Sequence, residues 1–230
     1  MGKAAVSIIS PAHNEEETIE SFVNNSCQFL KKSGIAGEVM IIQNGSRDKT
    51  LEKLVRLEGK YPILRVINCD FGNKGRALKI GLQKAKGDYL VTLDTDLWDE
   101  DFTAKSLELL SRYDIVVGSK SLKGGKDNRE LPARLMNIAY NLLFKLAFGF
   151  KGTETHAKLS FNRKKILPVV KLCRTEDLTF DTELLIRAER LGLSKTEIPT
   201  SITEVRPRRY NFTNQLIKTG RNILILARAL

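Results

Sequence analysis

Asp94 and Asp96 stand one residue apart at the end of the apolar run Tyr89-Leu90-Val91-Thr92-Leu93. Side chains alternate along a strand, so residues i and i+2 point the same way. The spacing predicts two carboxylates converging at a strand's carboxyl end. Converging oxygens suit a hard divalent cation, Mg²⁺ or Mn²⁺, because such an ion takes one or two carboxylates and fills its shell with substrate phosphates. The chemistry to expect is a metal–diphosphate site. Asp99-Glu100-Asp101 repeats the spacing but caps no apolar run. It reads as a helix N-terminus, where acids complement the dipole.

The elements around this pair alternate. Residues 4–10, 38–42, 63–68, 88–93 and 114–118 have strand character. Residues 15–32, 48–58 and 75–86 have helical character. Alternation of this kind predicts an α/β fold with a mainly parallel central sheet flanked by helices, and ligands at the strands' carboxyl ends. The polar turns 11–16, 43–48, 72–75 and 94–96 then share one edge. After Ser119 the character changes. Residues 120–129 are a Gly- and Lys-rich loop, 131–150 an apolar helical stretch, 158–161 a strand, and 180–191 a helix. Residues 198–202 read as a late strand and 211–230 as a basic amphipathic helix.

Four motifs in this order resemble the family 2 glycosyltransferases, which have the GT-A nucleotide-diphospho-sugar fold. Val6-Ser7-Ile8-Ile9-Ser10-Pro11-Ala12-His13-Asn14-Glu15-Glu16 is similar to the family's first strand and its Pro-x-Tyr/His-Asn-Glu. Gln43-Asn44-Gly45-Ser46-Arg47-Asp48-Lys49-Thr50 is similar to Asp-Asp-Gly-Ser-x-Asp-x-Thr. Asn73-Lys74-Gly75-Arg76-Ala77-Leu78 is similar to its Lys-Gly-x-Ala-Leu stretch, and Asp94-Thr95-Asp96 to its metal motif. Phe180-Asp181-Thr182-Glu183-Leu184-Leu185 and Glu197-Ile198-Pro199 resemble the branch that glycosylates dolichyl or other polyprenyl phosphates. The sequence departs from the family at Gln43 and Asn44, where two aspartates are usual. It departs again at Trp98, where some polyprenyl-phosphate mannosyltransferases carry a metal-ligating Gln. Residues 152–158 lack the Asp and Gly of the family's Asp-Thr-x-x-Gly-x-Lys.

The resemblance implies one domain over 1–230. Residues 1–120 form a nucleotide-sugar half, 121–210 an acceptor half, and 211–230 the terminal helix. It implies an inverting transfer from a GDP- or UDP-linked sugar to a polyprenyl phosphate. Asp96 is the implied direct metal ligand, and Asp94 holds ribose or metal. The donor site is implied at Pro11, His13, Asn14, Glu15, Gln43, Asn44, Ser46, Asp48, Asn73, Lys74, Gly75, Asp94 and Thr95. Asp181 and Arg129 join Asp96 as candidate catalytic groups. A lipid phosphate carries its own negative charge and needs cations rather than a base, and Arg134, Lys158 and Arg206 are the candidates for holding it.

Plainer readings stand beside these. Asn14 can cap a helix whose first turn holds Glu15–Glu17. Asp48 and Asp181 can do the same for their own helices, and Asp181 and Glu183, two apart, do not share a helix face. The only histidines, His13 and His156, have no metal-ligand spacing. Over 201–230 there are six Lys/Arg against one Glu. A basic amphipathic helix suits a membrane surface, and it equally suits packing on the domain.

The 230-residue chain carries a formal net charge of +11, which calls for an anionic partner. No nucleic-acid motif accompanies the charge. Three well-separated cysteines argue against a disulfide framework and for a reducing compartment. The first residues lack a signal-peptide layout, and no apolar run reaches the roughly 20 residues of a membrane span. A cytoplasmic protein with peripheral membrane contact is the expectation. Two other classes fit less well. A sugar-1-phosphate nucleotidyltransferase would want a Gly-rich basic loop where 11–16 is acidic. A non-catalytic nucleotide-binding relative would draw its support from Gln43, Asn44 and Trp98.

Overall fold

The computed structural model describes residues 5–155, 158–203 and 212–229, with side chains over 5–155, 158–203 and 220–228. Arg206, proposed above as an acceptor cation, and His156 lie outside the described residues. The elements run Val6–Ala12 (β1), Ile19–Ser33 (α1), Gly37–Asn44 (β2), Thr50–Lys60 (α2), Leu64–Cys69 (β3), Lys74–Lys84 (α3), Tyr89–Thr92 (β4), Glu100–Leu109 (α4) and Ile115–Ser119 (β5). Then follow Lys126–Asp127 (β6), Leu131–Phe148 (α5), Lys158–Asn162 (β7), Arg163–Leu172 (α6), Phe180–Arg190 (α7), Lys195–Pro199 (β8), Ser201–Ile202 (β9) and Phe212–Ala229 (α8).

A seven-stranded sheet has the order β3-β2-β1-β4-β7-β5-β8, and β6 pairs with β9 in a small ribbon. The β1–β2, β1–β4, β2–β3 and β5–β8 pairs are parallel, whereas β7 enters antiparallel between β4 and β5. This is the α/β fold with a mainly parallel sheet that the alternating pattern predicts. Every residue of β1 is buried, as a strand covered on both faces requires. Alternate residues feed two cores. Ile9, Met40 and Ile42 join one with α3, α6 and α7 residues. Ile8, Val39 and Ile41 join the other with α1 and α4 residues.

Three differences from the sequence reading have local causes. The first helix begins at Ile19 after Thr18, not at Glu15, and Asn14 is not its cap. The backbone N–H groups of Asn14, Glu15 and Glu16 instead donate to Ser46 Oγ (3.0 Å), Thr50 Oγ1 (2.7 Å) and Asp48 Oδ2 (3.1 Å). The late strand divides into β8 and β9. Lys195 and Glu197 of β8 hid it from a hydropathy reading because this is an edge strand. Helix α6 carries Pro168 inside it, which masks its periodicity.

Candidate active site

The carboxyl ends of β1, β2 and β4 and the start of α3 meet at a small cleft. Pro11, His13, Glu15, Asn44, Lys74, Asp94, Thr95 and Asp96 line it, enclosing about 90 Å³. Asp94 and Asp96 do converge there, but not by strand alternation. β4 ends at Thr92, and a turn closed by Leu97 N–H on Asp94 C=O (2.9 Å) carries both acids. The Lys74 ammonium lies against Asp94, 2.6 Å from Oδ1 and 2.8 Å from Oδ2.

The loops that form the rim are stitched to each other. Asn14 has φ of 56°, a left-handed conformation that Asn tolerates better than most residues. Its Oδ1 accepts from Arg47 N–H at 2.8 Å. Gly45, with φ of 70°, turns the chain after β2. His13 Nδ1 bonds the Asn44 carbonyl at 2.7 Å. Asp48 does not line the cleft. Burial opposes its ionisation, but bonds from Thr50 and from Glu16 N–H outweigh that and hold its carboxyl below the ordinary range.

Gln43 and Asn44 part company. Gln43 Oε1 accepts from Ser46 N–H (2.9 Å) and its Nε2 donates to Asn68 Oδ1 (2.8 Å). It braces the turn and β3, and it does not line the cleft. Asn44 is 2 % exposed, and its Oδ1 is buried with no hydrogen-bond partner among the described residues. A buried acceptor of this kind costs stability unless a ligand supplies a donor or a cation. Trp98 packs edge-on against Phe22 and Phe29, with centroids 5.9 Å apart in both cases, so it belongs to the core.

Asp181 reaches the site from α7. It is buried, and burial pushes its carboxyl up to about 6; the Lys74 charge works against that rise and Asp94 adds to it. Glu183 points elsewhere, as the spacing predicts. Its carboxylate accepts from Arg174 N–H, Thr175 N–H and Oγ1, and Arg187 Nε. It thereby fixes the 174–179 loop. That loop presses on the start of α3: Arg76 N–H donates to Glu176 C=O at 2.8 Å, and a Cβ on Gly75 would stand 2.3 Å from Asp177 O. Only glycine permits that approach. One polar loop therefore sets the positions of both Lys74 and Asp181.

The described cations proposed from sequence, Lys158, Arg129 and Arg134, do not line the cleft. Lys158 is a buried strut, its Nζ donating to Asp99 Oδ2 (2.6 Å), Thr200 Oγ1 (2.8 Å) and Ser201 C=O (2.9 Å). A buried ammonium must be paired, and with its three donors spent it is not placed to take a phosphate. Arg129 grips Asp127 with a two-point fork, at 2.8 and 2.7 Å, in the β6 ribbon. It lies outside the cleft lining. Arg134 is exposed on the first turn of α5. Lys120, which the sequence reading did not single out, is buried against Glu154. Its signal was the polar residue directly after β5.

The sequence pattern described as Glycosyl transferase family 2 matches residues 7–169. A dolichyl-phosphate beta-glucosyltransferase, ALG5A of Trichomonas vaginalis, is 26% identical over 87% of this chain and 66% of its own length. An undecaprenyl-phosphate 4-deoxy-4-formamido-L-arabinose transferase of Pseudomonas fluorescens is 25% identical over 74% of this chain and 50% of its own. The chain thus spans between half and two thirds of these relatives. Among solved structures, glucosyl-3-phosphoglycerate synthase of Mycobacterium tuberculosis, with Mn²⁺, UDP-glucose and phosphoglyceric acid, superposes with a TM-score of 0.73. It is 21% identical, and the match covers 98% of this chain and 80% of that one. At that identity the likeness is one of fold.

Proposed function

Because the chain belongs to glycosyl transferase family 2, we propose that it moves a sugar from a GDP- or UDP-linked donor onto a polyprenyl phosphate. The observation that carries this is the cleft in which Asp94, Asp96 and Lys74 meet at the sheet's carboxyl edge, with Asp181 beside Lys74. The relatives named for lipid-phosphate acceptors support the choice of acceptor.

Mg²⁺ or Mn²⁺ fits the cleft. Asp94, Asp96 and Glu15 line it, Asn44 offers a buried oxygen with no partner among the described residues, and a cationic group already rests on Asp94. Among the described residues no cluster of three or more His, Cys, Asp and Glu forms a cage, so donor phosphates would complete the shell. Asp96 and Asp94 would hold the ion, which when bound neutralises charge on the departing nucleoside diphosphate. Lys74 adds a second positive charge from the start of α3, where backbone N–H groups also favour anions. The acceptor phosphate oxygen attacks the anomeric carbon as the bond to the diphosphate oxygen breaks, with inversion. The charge leaves with the nucleotide, and no proton has to be removed. Catalysis then rests on positioning and on leaving-group electrostatics. Asp181, within electrostatic reach of Lys74, helps to orient that ammonium.

A lipid acceptor needs a membrane face, and α5 supports one. Leu131, Leu135, Ile138, Leu142 and Leu146 recur every three or four residues and are 53–77 % exposed. Ala133, Asn137, Asn141 and Phe144 hold the opposite face in the domain. Arg134 on α5 and Arg221 and Arg228 on α8, a helix in contact with α5, are exposed, and an anionic lipid surface would attract them. On α8 itself Leu226 is buried in the core and Leu224 is 62 % exposed. No helix among the described residues is long and apolar enough to cross a membrane.

The direct test offers GDP- and UDP-sugars with Mn²⁺ and a polyprenyl phosphate, and looks for radiolabel in the organic phase. Release of pyrophosphate from a nucleoside triphosphate, with no lipid-linked sugar, would overturn the reading. Separately, the double substitution Ile138→Asp/Leu142→Asp is expected to raise the lipid needed for half-binding to anionic vesicles by about tenfold or more. Melting should barely move, since both side chains are exposed. Unchanged sedimentation with vesicles would remove α5 from the membrane contact.

A further inference from the structure

A second, larger concavity adjoins the start of α3, as the donor cleft does. It encloses about 450 Å³, within the range of small-molecule sites. Its walls are Asn73 at the start of α3, Tyr140 of α5, the 174–179 loop, and Arg221, Asn222 and Ile225 of α8. Asn73 lines this cavity and its neighbour Lys74 lines the cleft. The two spaces are therefore one residue apart along the chain.

We propose that this cavity receives the phosphate end and first isoprene units of the acceptor lipid. The inference rests on the polyprenyl-phosphate reading above and moves the acceptor site away from Lys158. Four observations support it. The Oδ1 atom of Asn73 is buried with no hydrogen-bond partner among the described residues. As an acceptor it calls for a donor, such as the O–H of a singly protonated phosphate monoester, while Nδ2 of the same amide can donate to an ionised phosphate oxygen. Arg174 and Arg221 are exposed at the rim, and neither forms an ion pair among the described residues. Leu178, Ile225 and the Tyr140 ring supply apolar wall, and Leu178 and Ile225 are 54 % and 37 % exposed. Leu224, next to Ile225, is exposed too, so the apolar surface continues from the cavity onto α8, which packs beside α5.

The site is built rather than incidental. Asn222 Nδ2 donates to Asp177 Oδ2 at 2.8 Å and to Thr179 Oγ1 at 2.5 Å. Asp177 also accepts Thr179 N–H at 2.9 Å. These bonds clamp α8 to the loop but leave Asp177 its charge, which one of the two lining arginines offsets. Glu176 is the remaining carboxylate in the lining and is exposed to solvent, where its repulsion is screened. The phosphate at Asn73 then faces Lys74 and the donor's anomeric carbon, while the prenyl chain leaves toward the membrane face.

The test uses the full chain and a short prenyl monophosphate bearing a photoreactive benzophenone, with no donor present. Labelled peptides are expected from 174–179 and 221–225. Farnesyl phosphate should compete, and farnesol and inorganic phosphate should compete far less. In transfer assays the Arg174→Ala/Arg221→Ala variant should raise the KM for prenyl phosphate at least about tenfold, as expected for loss of charge-assisted bonds to phosphate, while Mn²⁺–nucleotide binding stays intact. Label confined to 131–146, equal competition by farnesol, or an unchanged KM would each overturn the assignment. Failure of the parent reading looks different: the wild type would bind donor and transfer nothing to any prenyl phosphate. Labelling needs no turnover, so it would still decide the occupancy of the cavity.

Discussion

Asp96→Ala is expected to lower Mn²⁺-dependent sugar transfer by about three orders of magnitude. Lewis-acid stabilisation of a leaving diphosphate is worth several kcal/mol, and each 1.4 kcal/mol or so is tenfold in rate. The effect should exceed that of Asp94→Ala. Asp94 already shares its charge with the Lys74 ammonium at 2.6 Å, so its removal also relieves a paired cation. Both acids sit in a turn after β4 rather than in the core, and the Asp96→Ala chain should fold and melt normally. Nucleotide titration gives the second readout: Mn²⁺ should tighten GDP or UDP binding to the wild type and have no such effect on the variant. Wild-type turnover in Asp96→Ala would sink the assignment of the cleft.

Asp181→Asn should make the metal-free protein more stable near neutral pH and slow transfer by about ten- to a hundredfold, the range of a lost positioning contact. Burial pushes the Asp181 carboxyl up to about 6 in the folded chain, against about 4 when unfolded. Between those two values the folded chain keeps a proton that the unfolded chain has released. Stability from this group therefore falls as pH rises from about 4 to 6, and the deficit persists above that. At about 1.4 kcal/mol per pH unit the deficit is of order 3 kcal/mol. Asp48 and Asp99 are held below the ordinary range and slope the other way, losing stability as pH falls. The wild-type minus Asp181→Asn difference, measured by denaturation in a chelator, isolates the Asp181 contribution. A difference flat across pH 4–6 would contradict the burial argument. A stabilising substitution that costs activity is what a carboxylate kept at a site for function should give.

Much of this was legible in advance because it is local. An apolar strand followed by Asp-x-Asp, with polar turns after each earlier strand, places a polar cleft at the sheet's carboxyl edge. Asn44, Lys74, Asp94 and Asp96 do meet there. Gln43 and Asp48 sit inside the same motif, yet both spend their polar atoms on neighbouring loops. A motif fixes which residues are near a site, whereas the hydrogen bonds of packed loops fix which of them face it. Lys158 shows the same limit. Its charge was visible in the sequence; its burial against Asp99, 59 residues earlier, was not.

The amino-acid order alone determined the layered α/β plan, the edge that carries the chemistry and the basic, apolar-faced helices, since periodicity and turn chemistry act over a few residues. Tertiary packing decided the rest. It inserted β7 antiparallel, brought Asp181 to Lys74 from more than a hundred residues away, and closed a cavity between α3, α5, the 174–179 loop and α8. These depend on contacts between segments remote in sequence, and no local pattern encodes which two distant faces will meet.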